Sequence, residues 1–350
     1  MTDEPVLSLT GVSKSFGVRR GLKLGGPSQA LAVDGVDLRL HRSRMLGLVG
    51  ESGCGKSTTA RIALGLLRPD GGSVELYGQP IDQMSRRVYR REFRPKVQAV
   101  FQDPGSALNP RKTVFETIRS AMALYGRTSG ASAHDDVAGL LDQVGLQPGR
   151  QFLARRPHEL SGGQLQRVGI ARALAVEPEV IIADEPVSAL DVSIRGQVLN
   201  LLADIRAERA ISVLLITHDL SVVASTAQDV AVMYLGRIVE QGPTERIFRS
   251  PQHPYTQALL AATPRVRRHG SPSSTRRILP GDPPSALTPP SGCRFHPRCP
   301  FAMEICSTVD PPLLPVPDHG LAACHLLSEP PAEPVAQSRR TSGVAESDRS

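Results

Sequence analysis

The chain has 350 residues, which exceeds the usual size of a single domain and predicts one large core with an appended module. Its 41 Lys+Arg against 34 Asp+Glu give a net charge of +7, which suits nucleic acid, anionic headgroups or a polyphosphate ligand. The alternative explanation of this net charge is a basic surface that contacts only solvent. With 40% hydrophobic and 4% aromatic residues, the composition excludes a disordered or fibrous chain and favours an aliphatic α/β core.

The predicted elements begin with VLSLTGVSKSF and LAVDGVDLRL, whose alternation indicates an antiparallel pair of strands with a long exposed connection. The apolar run MLGLVG then indicates a parallel strand buried on both faces, and KSTTARIALGLL follows with helical spacing. GGSVELYGQPI and KVQAVFQD are further strands. A helical block over about residues 103–175 contains TVFETIRSAMALYG and DDVAGLLDQVGL as amphipathic helices.

Parallel strands return in EVIIADEP and SVLLITHD, which the helix IRGQVLNLLADIRAER joins into a βαβ unit. Residues 264–292 are rich in Pro, Ser and Arg and predict a linker, and residues 328–350 predict a disordered tail. The predicted organisation is a main domain over 1–250 and an extension over 251–327. The amino terminus lacks a signal peptide and no long apolar run follows, so we expect a cytoplasmic chain that does not span a membrane.

The stretch GESGCGKST fits the phosphate-loop pattern G-x-x-x-x-G-K-[ST] and lies between a predicted strand and a predicted helix. In such a loop the backbone N–H groups and the helix dipole surround phosphate oxygens, Lys56 supplies a positive charge, and Ser57 offers its hydroxyl to Mg²⁺. A purely structural glycine turn is the alternative. The predicted nucleotide-binding residues are Gly50, Glu51, Ser52, Gly53, Cys54, Gly55, Lys56, Ser57 and Thr58.

Polar side chains follow the predicted parallel strands at the sheet edge where open α/β sheets bind ligands. Asp184 is predicted to hold the hydration shell of Mg²⁺, and Glu185 to polarise the water that attacks the γ-phosphate. His218 can hydrogen-bond the γ-phosphate or orient that water. Gln102 can contact Mg²⁺ and water and report the nucleotide state to the helical block. The alternative interpretation is an ordinary exposed polar loop, which each of these residues fits when it is considered alone.

A second glycine-containing loop, LSGGQLQR at residues 160–167, precedes another predicted helix. Ser161, Gly162 and Gly163 expose backbone donors at the positive end of the helix dipole, which again describes an anion site. Because this loop ends the helical block, far along the chain from Lys56, we expect it to serve a nucleotide that a partner molecule binds.

The phosphate loop, LSGGQ, ADEP, SALD and ITHD occur in an order that resembles the ATP-binding cassette (ABC) ATPases over roughly residues 6–250. The resemblance implies a P-loop NTPase with a RecA-like parallel core, an antiparallel β subdomain and a helical subdomain. It implies a head-to-tail dimer in which ATP lies between the phosphate loop of one subunit and the signature loop, including Gln164, of the other. Asp191 is implied at the dimer interface. Phe16 is the candidate for stacking on adenine, with a buried core phenylalanine as the alternative.

Two later stretches, at residues 232–264 and GCRFHPRCPFAMEIC at 292–306, resemble the oligopeptide/dipeptide importer branch of that family. This resemblance implies a subunit at the cytoplasmic face of the membrane that hydrolyses ATP to power peptide uptake. It also implies a second, distinct ATPase subunit, two permeases and an external peptide-binding protein. Nickel or glutathione import is an alternative. The rival functions are a redox-sensing component and a non-transport ABC protein on nucleic acid, but coiled-coil arms and a second cassette are absent from the sequence, so no nucleic acid is expected.

The last feature is a set of cysteines with the spacing C-x5-C-x6-C-x17-C, formed by Cys293, Cys299, Cys306 and Cys324. In a reducing cytosol such thiols favour metal binding over disulfides. The resemblance to the importer branch implies a [4Fe–4S] cluster, while neighbouring His296 and His325 keep Zn²⁺ as an alternative, and free thiols are the third interpretation. Cys54 in the phosphate loop is predicted to be incidental, although a thiol beside helix dipoles can be oxidisable.

Overall fold

The computed structural model describes residues 4–18, 28–127, 132–262, 282, 284–285, 287–318 and 320–327. Its strands are β1 (Pro5–Val18), β2 (Ser28–His41), β3 (Met45–Val49), β4 (Gly71–Leu76), β5 (Gln79–Pro80), β6 (Val97–Val100), β7 (Val180–Asp184), β8 (Ser212–Thr217), β9 (Asp229–Tyr234), β10 (Arg237–Pro243), β11 (Leu314–Val316) and β12 (Gly320–Ala322). Its helices are α1 (Lys56–Ala63), α2 (Arg86–Val88), a π-helical turn (Tyr89–Phe93), α3 (Arg94–Lys96), α4 (Pro104–Ala107), α5 (Val114–Leu124), α6 (Ala133–Gln143), α7 (Gly162–Leu174), α8 (Val192–Arg209), α9 (Leu220–Thr226), α10 (Thr244–Arg249) and α11 (Pro254–Ala262).

The first sheet is antiparallel and has the order β2-β1-β4-β5. Strands β1 and β2 pair along most of their length, from Pro5 opposite His41 to Phe16 opposite Ala30. The predicted antiparallel pair is therefore present. Its connection, residues 19–27, lies outside the described residues.

The second sheet is mixed and has the order β11-β12-β10-β9-β3-β8-β7-β6. Strand β3 pairs in parallel with β8 and β9, and β7 pairs in parallel with β6 and β8. The predicted unit β7–α8–β8 thus joins adjacent parallel strands, as expected for a βαβ crossover. Strands β10, β12 and β11 extend the sheet in antiparallel fashion, so part of the carboxyl-terminal region is an extension of the main sheet.

The apolar runs of β3, β7 and β8 are buried on both faces because alternate residues enter two different cores. On one face, Met45 and Val49 of β3 pack with the core that helices α5 to α9 complete. On the other face, Leu46 and Leu48 pack with the core formed by α1 and the antiparallel sheet. A strand at the centre of this sheet is therefore hydrophobic at every position, because both of its faces are buried.

Helices α4 to α7 lie between β6 and β7 in the chain, where the sequence predicts a helical block. Helix α7 packs against α4, α5 and α6. The boundaries of this block and of the extension stay predictions. The predicted tail and most of the predicted linker lie outside the described residues, although Ser291 Oγ donates to Ser307 O at 2.6 Å. No helix in the described part of the chain combines the length and apolarity needed to span a bilayer.

A buried ion pair between Glu240 of β10 and Arg246 of α10 joins the antiparallel part of the second sheet to a helix. Glu240 of β10 is 0% exposed and accepts hydrogen bonds from Arg246 Nη1 at 3.0 Å, Gln252 N at 2.8 Å and His253 N at 2.9 Å. A buried carboxylate is tolerated only when it is paired and hydrogen-bonded in this way. The pair therefore fixes the chain entering α11.

We expect Glu240→Ala to lower the free energy of unfolding by about 3–5 kcal/mol, because it leaves Arg246 buried without its counter-ion. Urea denaturation followed by circular dichroism measures the change. Glu245→Ala is the matched control, since it breaks an exposed ion pair with Arg249 on the adjacent helix, which is worth about 0.3–0.5 kcal/mol. Equal small effects of the two variants would contradict the prediction.

Candidate nucleotide site

The predicted phosphate loop joins β3 to α1, and close backbone contacts leave no room for a side chain at two of its glycines, Gly50 and Gly55. A Cβ atom on Gly50 would lie 2.2 Å from Met233 O, and one on Gly55 would lie 2.2 Å from Ala32 O. Gly55 also has φ of 111°, a left-handed conformation that favours glycine. The loop is therefore fitted between β9 and β2, with the first turn of α1 directly behind it.

Lys56 points back into this loop and is only 5% exposed. Its Nζ donates to Gly50 O at 2.8 Å and to Glu51 O at 2.9 Å, so the ammonium group lies inside the curve of the loop. A positive charge in this position, together with the helix dipole, attracts phosphate. Cys54 is 4% exposed, and burial raises the pKa of its thiol, so the interpretation of an oxidisable cysteine is not supported.

Two of the three residues predicted to contact Mg²⁺, Ser57 and Asp184, lie together. Ser57 Oγ donates to Asp184 Oδ1 at 3.2 Å, although the two residues are 127 positions apart. Burial raises the pKa of Asp184, against the hydrogen bond from Ser57, which lowers it. Hydroxyl and carboxylate oxygens are the donors that Mg²⁺ prefers, so these residues fit that ion.

The predicted catalytic pair follows two neighbouring strands. Glu185 comes directly after β7, has φ of 46°, and donates its backbone N–H to Ile216 O at 2.9 Å. His218 comes directly after β8, and its Nδ1 lies 3.3 Å from Glu185 Oε1. Because Asp184 precedes Glu185, the structure brings the carboxylates and the imidazole to one edge of the sheet, beside the phosphate loop. A carboxylate here can accept a proton from water while the histidine fixes the orientation of that carboxylate.

Gln102 and Phe16 are both at the surface. Gln102 is exposed just after β6, the strand next to β7, where the chain enters the helical block. Phe16 lies on β1 and is 40% exposed, which excludes the alternative of a buried core phenylalanine. The exposed ring of Phe16 is opposite Ala30 of β2, the strand whose Ala32 contacts the loop, and it remains available for stacking on a base.

The second glycine loop has its own local structure. Ser161 is the N-cap of α7: its Oγ accepts from Gln164 N at 3.3 Å, and its N donates to Gln164 Oε1 at 3.0 Å. This capping box explains the serine and the glutamine by helix stability alone. Gly162 and Gly163 form the first turn, and a Cβ atom on Gly163 would lie 2.8 Å from Ile194 Cγ2.

Asp191 lies beside this loop. It precedes α8 with an exposed side chain that makes no capping hydrogen bond to that helix. Its neighbour Leu190 lies 3.4 Å from the Cβ position of Gly162. The two stretches that the sequence predicts at a subunit interface therefore share one surface of the chain.

Sequence reasoning missed two residues that contact the phosphate loop, Tyr255 of α11 and Arg298 near the carboxyl terminus. Tyr255 accepts a hydrogen bond from Glu51 N, and Arg298 pairs with the carboxylate of Glu51. Neither residue belongs to a recognisable nucleotide motif. Their separation from the loop exceeds two hundred positions, so local sequence patterns carry no signal for these contacts.

The four carboxyl-terminal cysteines lie in one small region, where Cys293 N donates to Cys306 O at 2.9 Å. Burial, with electrostatic interactions among the thiols, raises the pKa of Cys293 and Cys299, and raises that of Cys324 to about 11. Within the described ranges, no three His, Cys, Asp or Glu residues form a group that could hold a metal ion. The described residues therefore give no support to the predicted [4Fe–4S] cluster.

Each of the two histidines considered as zinc ligands contacts a backbone carbonyl oxygen through one ring nitrogen. His296 Nδ1 lies 2.9 Å from Cys293 O, and His325 Nε2 lies 2.9 Å from Val309 O. In each histidine the other ring nitrogen is left for a metal, so these contacts do not exclude zinc. The zinc alternative gains no support from the described residues, in which no group of three metal-binding side chains occurs.

Comparison with known proteins identifies the family. The family model described as ABC transporter matches residues 33–188, and the one described as Oligopeptide/dipeptide transporter, C-terminal region, matches residues 239–306. The oligopeptide transport ATP-binding protein AppF of Bacillus subtilis (strain 168) is 45% identical over 325 residues, which cover 93% of this chain and 98% of that protein. The chain belongs to the ABC transporter ATP-binding proteins. The resemblance seen in the sequence motifs is confirmed.

Further matches to ABC proteins support the same family assignment. The dipeptide transport ATP-binding protein DppF of Haemophilus influenzae (strain ATCC 51907 / DSM 11121 / KW20 / Rd) is 44% identical, with 91% of this chain and 96% of that protein covered. The dimeric, post-hydrolysis structure of the ATP-binding cassette MJ0796 bound to ADP and Pi matches with a TM-score of 0.59 and 28% identity over 68% of this chain and 98% of that one. The predicted P-loop NTPase fold and the prediction of an ATPase are therefore confirmed.

Proposed function

We propose that this ABC ATPase powers the uptake of di- or oligopeptides through an ABC importer. The observation that carries the proposal is the match at residues 239–306 to the C-terminal region of oligopeptide/dipeptide transporters, which follows an ABC cassette in the same chain. Relatives that align along nearly the whole chain are themselves named for oligopeptide and dipeptide transport. Nickel and glutathione are the alternative cargoes.

In the proposed reaction the chain uses its own phosphate loop and sheet edge to hold and hydrolyse ATP. Lys56 and the loop N–H groups would bind the phosphates, and Ser57 and Asp184 would hold Mg²⁺, which would supply positive charge against the phosphate oxygens. Glu185 accepts the proton of the attacking water, and His218, at 3.3 Å from its carboxylate, holds the carboxylate in place. Gln102 is positioned to carry the state of this site into the helical block.

A second ATPase subunit completes each site in this proposal. The loop from Ser161 to Gln164 and the adjacent Asp191 face outward on one surface, and they are proposed to close on the nucleotide of that subunit. The positive end of α7 provides the attraction for phosphate. We propose a distinct chain as the partner, which makes the pair a heterodimer.

The permeases are proposed to contact the chain between its core and the helical block near Gln102. A groove of about 1610 Å³ between the end of α1, the helical segment Arg86–Lys96 and the end of α5 is a candidate for a further part of that contact. Arginine is the dominant residue of its lining, which includes Arg68, Arg86, Arg87, Arg90, Arg91, Arg94 and Arg127. Seven arginines against the single carboxylate of Asp82 make this lining strongly basic, which favours an acidic partner. This contact would place the chain at the cytoplasmic face of the membrane, beneath permeases that an external peptide-binding protein supplies.

Reconstituted transport tests the proposed function. The tagged chain is purified from its own cells together with the membrane subunits that accompany it, and uptake of labelled dipeptides and longer peptides into proteoliposomes is measured with ATP. Peptide uptake that requires an intact Glu185 is the expected result. Uptake of nickel or glutathione in place of peptide, or nucleic acid in place of the permeases after purification, would replace the proposal by one of its rivals.

The iron–sulphur cluster is a separate and finer prediction that rests on the family resemblance alone. Iron and sulphide analysis of the chain purified without oxygen tests it, and zinc analysis of the same sample tests the alternative. Four free thiols per chain from this region, with neither metal present, would establish the third interpretation. The proposed transport function does not depend on the outcome.

A further inference from the structure

The carboxyl-terminal region holds the phosphate loop by a direct ion pair. Arg298 Nη1 donates to Glu51 Oε2 at 2.9 Å, and Arg298 Nη2 donates to Glu51 Oε1 at 3.1 Å, across 247 positions of sequence. The arginine is 6% exposed. Two parallel N–H···O bonds between a guanidinium and a carboxylate are stronger and more directional than a single contact. This geometry leaves Glu51 little freedom.

Glu51 is held at three of its groups. Its carboxylate is bound by Arg298, its backbone N–H donates to Tyr255 Oη at 3.0 Å, and its carbonyl oxygen accepts from Lys56 Nζ at 2.9 Å. Lys56 is the residue that attracts the phosphates. The position of Glu51 is therefore coupled to the position of the ammonium group and to the direction of the loop N–H groups.

The support beneath the loop is rigid. The rings of Tyr234, Tyr255 and Phe295 contact each other with centroid distances of 4.6 to 5.4 Å, and all three are nearly fully buried. Phe295 and Arg298 belong to the same turn, in which Arg298 N donates to Phe295 O at 2.9 Å. Packed aromatic rings resist displacement, so they fix the turn that presents the arginine.

A second arginine of this turn provides a comparison. Arg294 donates to Leu235 O and to the carboxylate of Asp34, and it is 8% exposed. It therefore ties the same carboxyl-terminal turn to β2 and to the end of β9. Neither acceptor belongs to the phosphate loop, which Arg294 approaches only through Gly236, the neighbour of Leu235 whose N–H donates to Cys54 O at 2.7 Å.

We propose that Arg298 is a positioning residue of the ATP site, through which the carboxyl-terminal region holds the phosphate loop ready for nucleotide. Anion binding by backbone N–H groups requires that they point inward before the phosphate arrives. When only a fraction of molecules has the competent loop, the apparent dissociation constant rises in inverse proportion to that fraction. Arg298 keeps that fraction high without touching ATP.

Loss of the arginine therefore affects binding more than chemistry. Bound ATP makes its own contacts with the loop and restores the geometry, so turnover at saturating ATP changes little. We expect Arg298→Gln to raise both the Kd and the KM for Mg·ATP by about tenfold or more, with kcat within about threefold. Isothermal titration of the full chain gives Kd, and ATP turnover of the assembled transporter gives KM and kcat.

Arg294→Gln is the matched control, since it removes a buried arginine of the same turn and the same charge. It is expected to leave the Kd for Mg·ATP within about twofold. Arg298→Lys is expected to fall between the wild type and Arg298→Gln, because lysine keeps the charge but loses the paired geometry. An equal loss of affinity in Arg294→Gln and Arg298→Gln would overturn the proposal.

A double-mutant cycle with Glu51→Gln separates positioning from long-range electrostatics. If Arg298 acts through Glu51, then Arg298→Gln changes the Kd less than about twofold once Glu51→Gln is present. If it acts on ATP through space, its effect persists at full size in that background and the proposal fails. The cycle with Arg298→Lys reports the same coupling should Arg298→Gln not fold. All readouts concern ATP binding, so they are independent of the transported cargo.

Discussion

Glu185→Gln is expected to lower ATP turnover by about a hundredfold or more while ATP binding is retained. The substitution keeps the size and hydrogen-bonding capacity of the side chain but removes the basicity that accepts a proton from water. The backbone of Glu185 is fixed by its N–H bond to Ile216 O at 2.9 Å, so the local structure should persist. Turnover of the assembled transporter and ATP affinity of the isolated chain are the two measurements.

His218→Ala provides the companion measurement. The imidazole lies 3.3 Å from the Glu185 carboxylate, so its removal should also lower turnover, without replacing the proton acceptor itself. If ATP joins two ATPase subunits and hydrolysis releases them, as proposed, Glu185→Gln should also prolong the ATP-bound pair. Unchanged turnover in Glu185→Gln would remove this residue as the base.

Much of the fold could be predicted because its signals are local. The apolar run of β3 is continuous since the strand is buried on both faces, and the lysine and serine of the phosphate loop follow at fixed spacing. The carboxylates after β7 and the histidine after β8 could be placed together because parallel neighbouring strands end at one edge. Each inference needed only a short stretch and the geometry of a parallel sheet.

The contacts that escaped prediction are those between distant stretches with no motif of their own. Arg298 looks like an ordinary basic residue beside Cys299, and only the folded chain shows that it pairs with Glu51. Strand β12 is three residues long and pairs with the distant β10, with Glu240 opposite Ala322, and so short a run carries no alternating pattern of its own. The cysteine spacing likewise fixes which thiols are near in sequence but not whether their side chains converge.

The signature loop is proposed to complete the nucleotide site of a partner subunit, and Gly162→Asp tests that role. Gly162 is exposed in the first turn of α7, and its Cβ position lies 3.4 Å from Leu190 Cδ2, an ordinary contact. A carboxylate at a helix amino terminus stabilises the helix, so the variant should fold. The same carboxylate would repel the phosphates that the partner subunit brings to this turn.

We therefore expect Gly162→Asp to lower turnover of the assembled pair by about a hundredfold or more, because the positive end of α7 no longer stabilises charge on the phosphates. ATP affinity of the isolated chain should stay within about twofold, since its own phosphate loop is unaltered. Gly162→Asn, which has the same size without the charge, should lose less. If instead Gly162→Asp weakened ATP binding by the isolated chain as much as it lowered turnover, the loop would act on its own nucleotide. An active Gly162→Asp transporter would place the second anion site elsewhere.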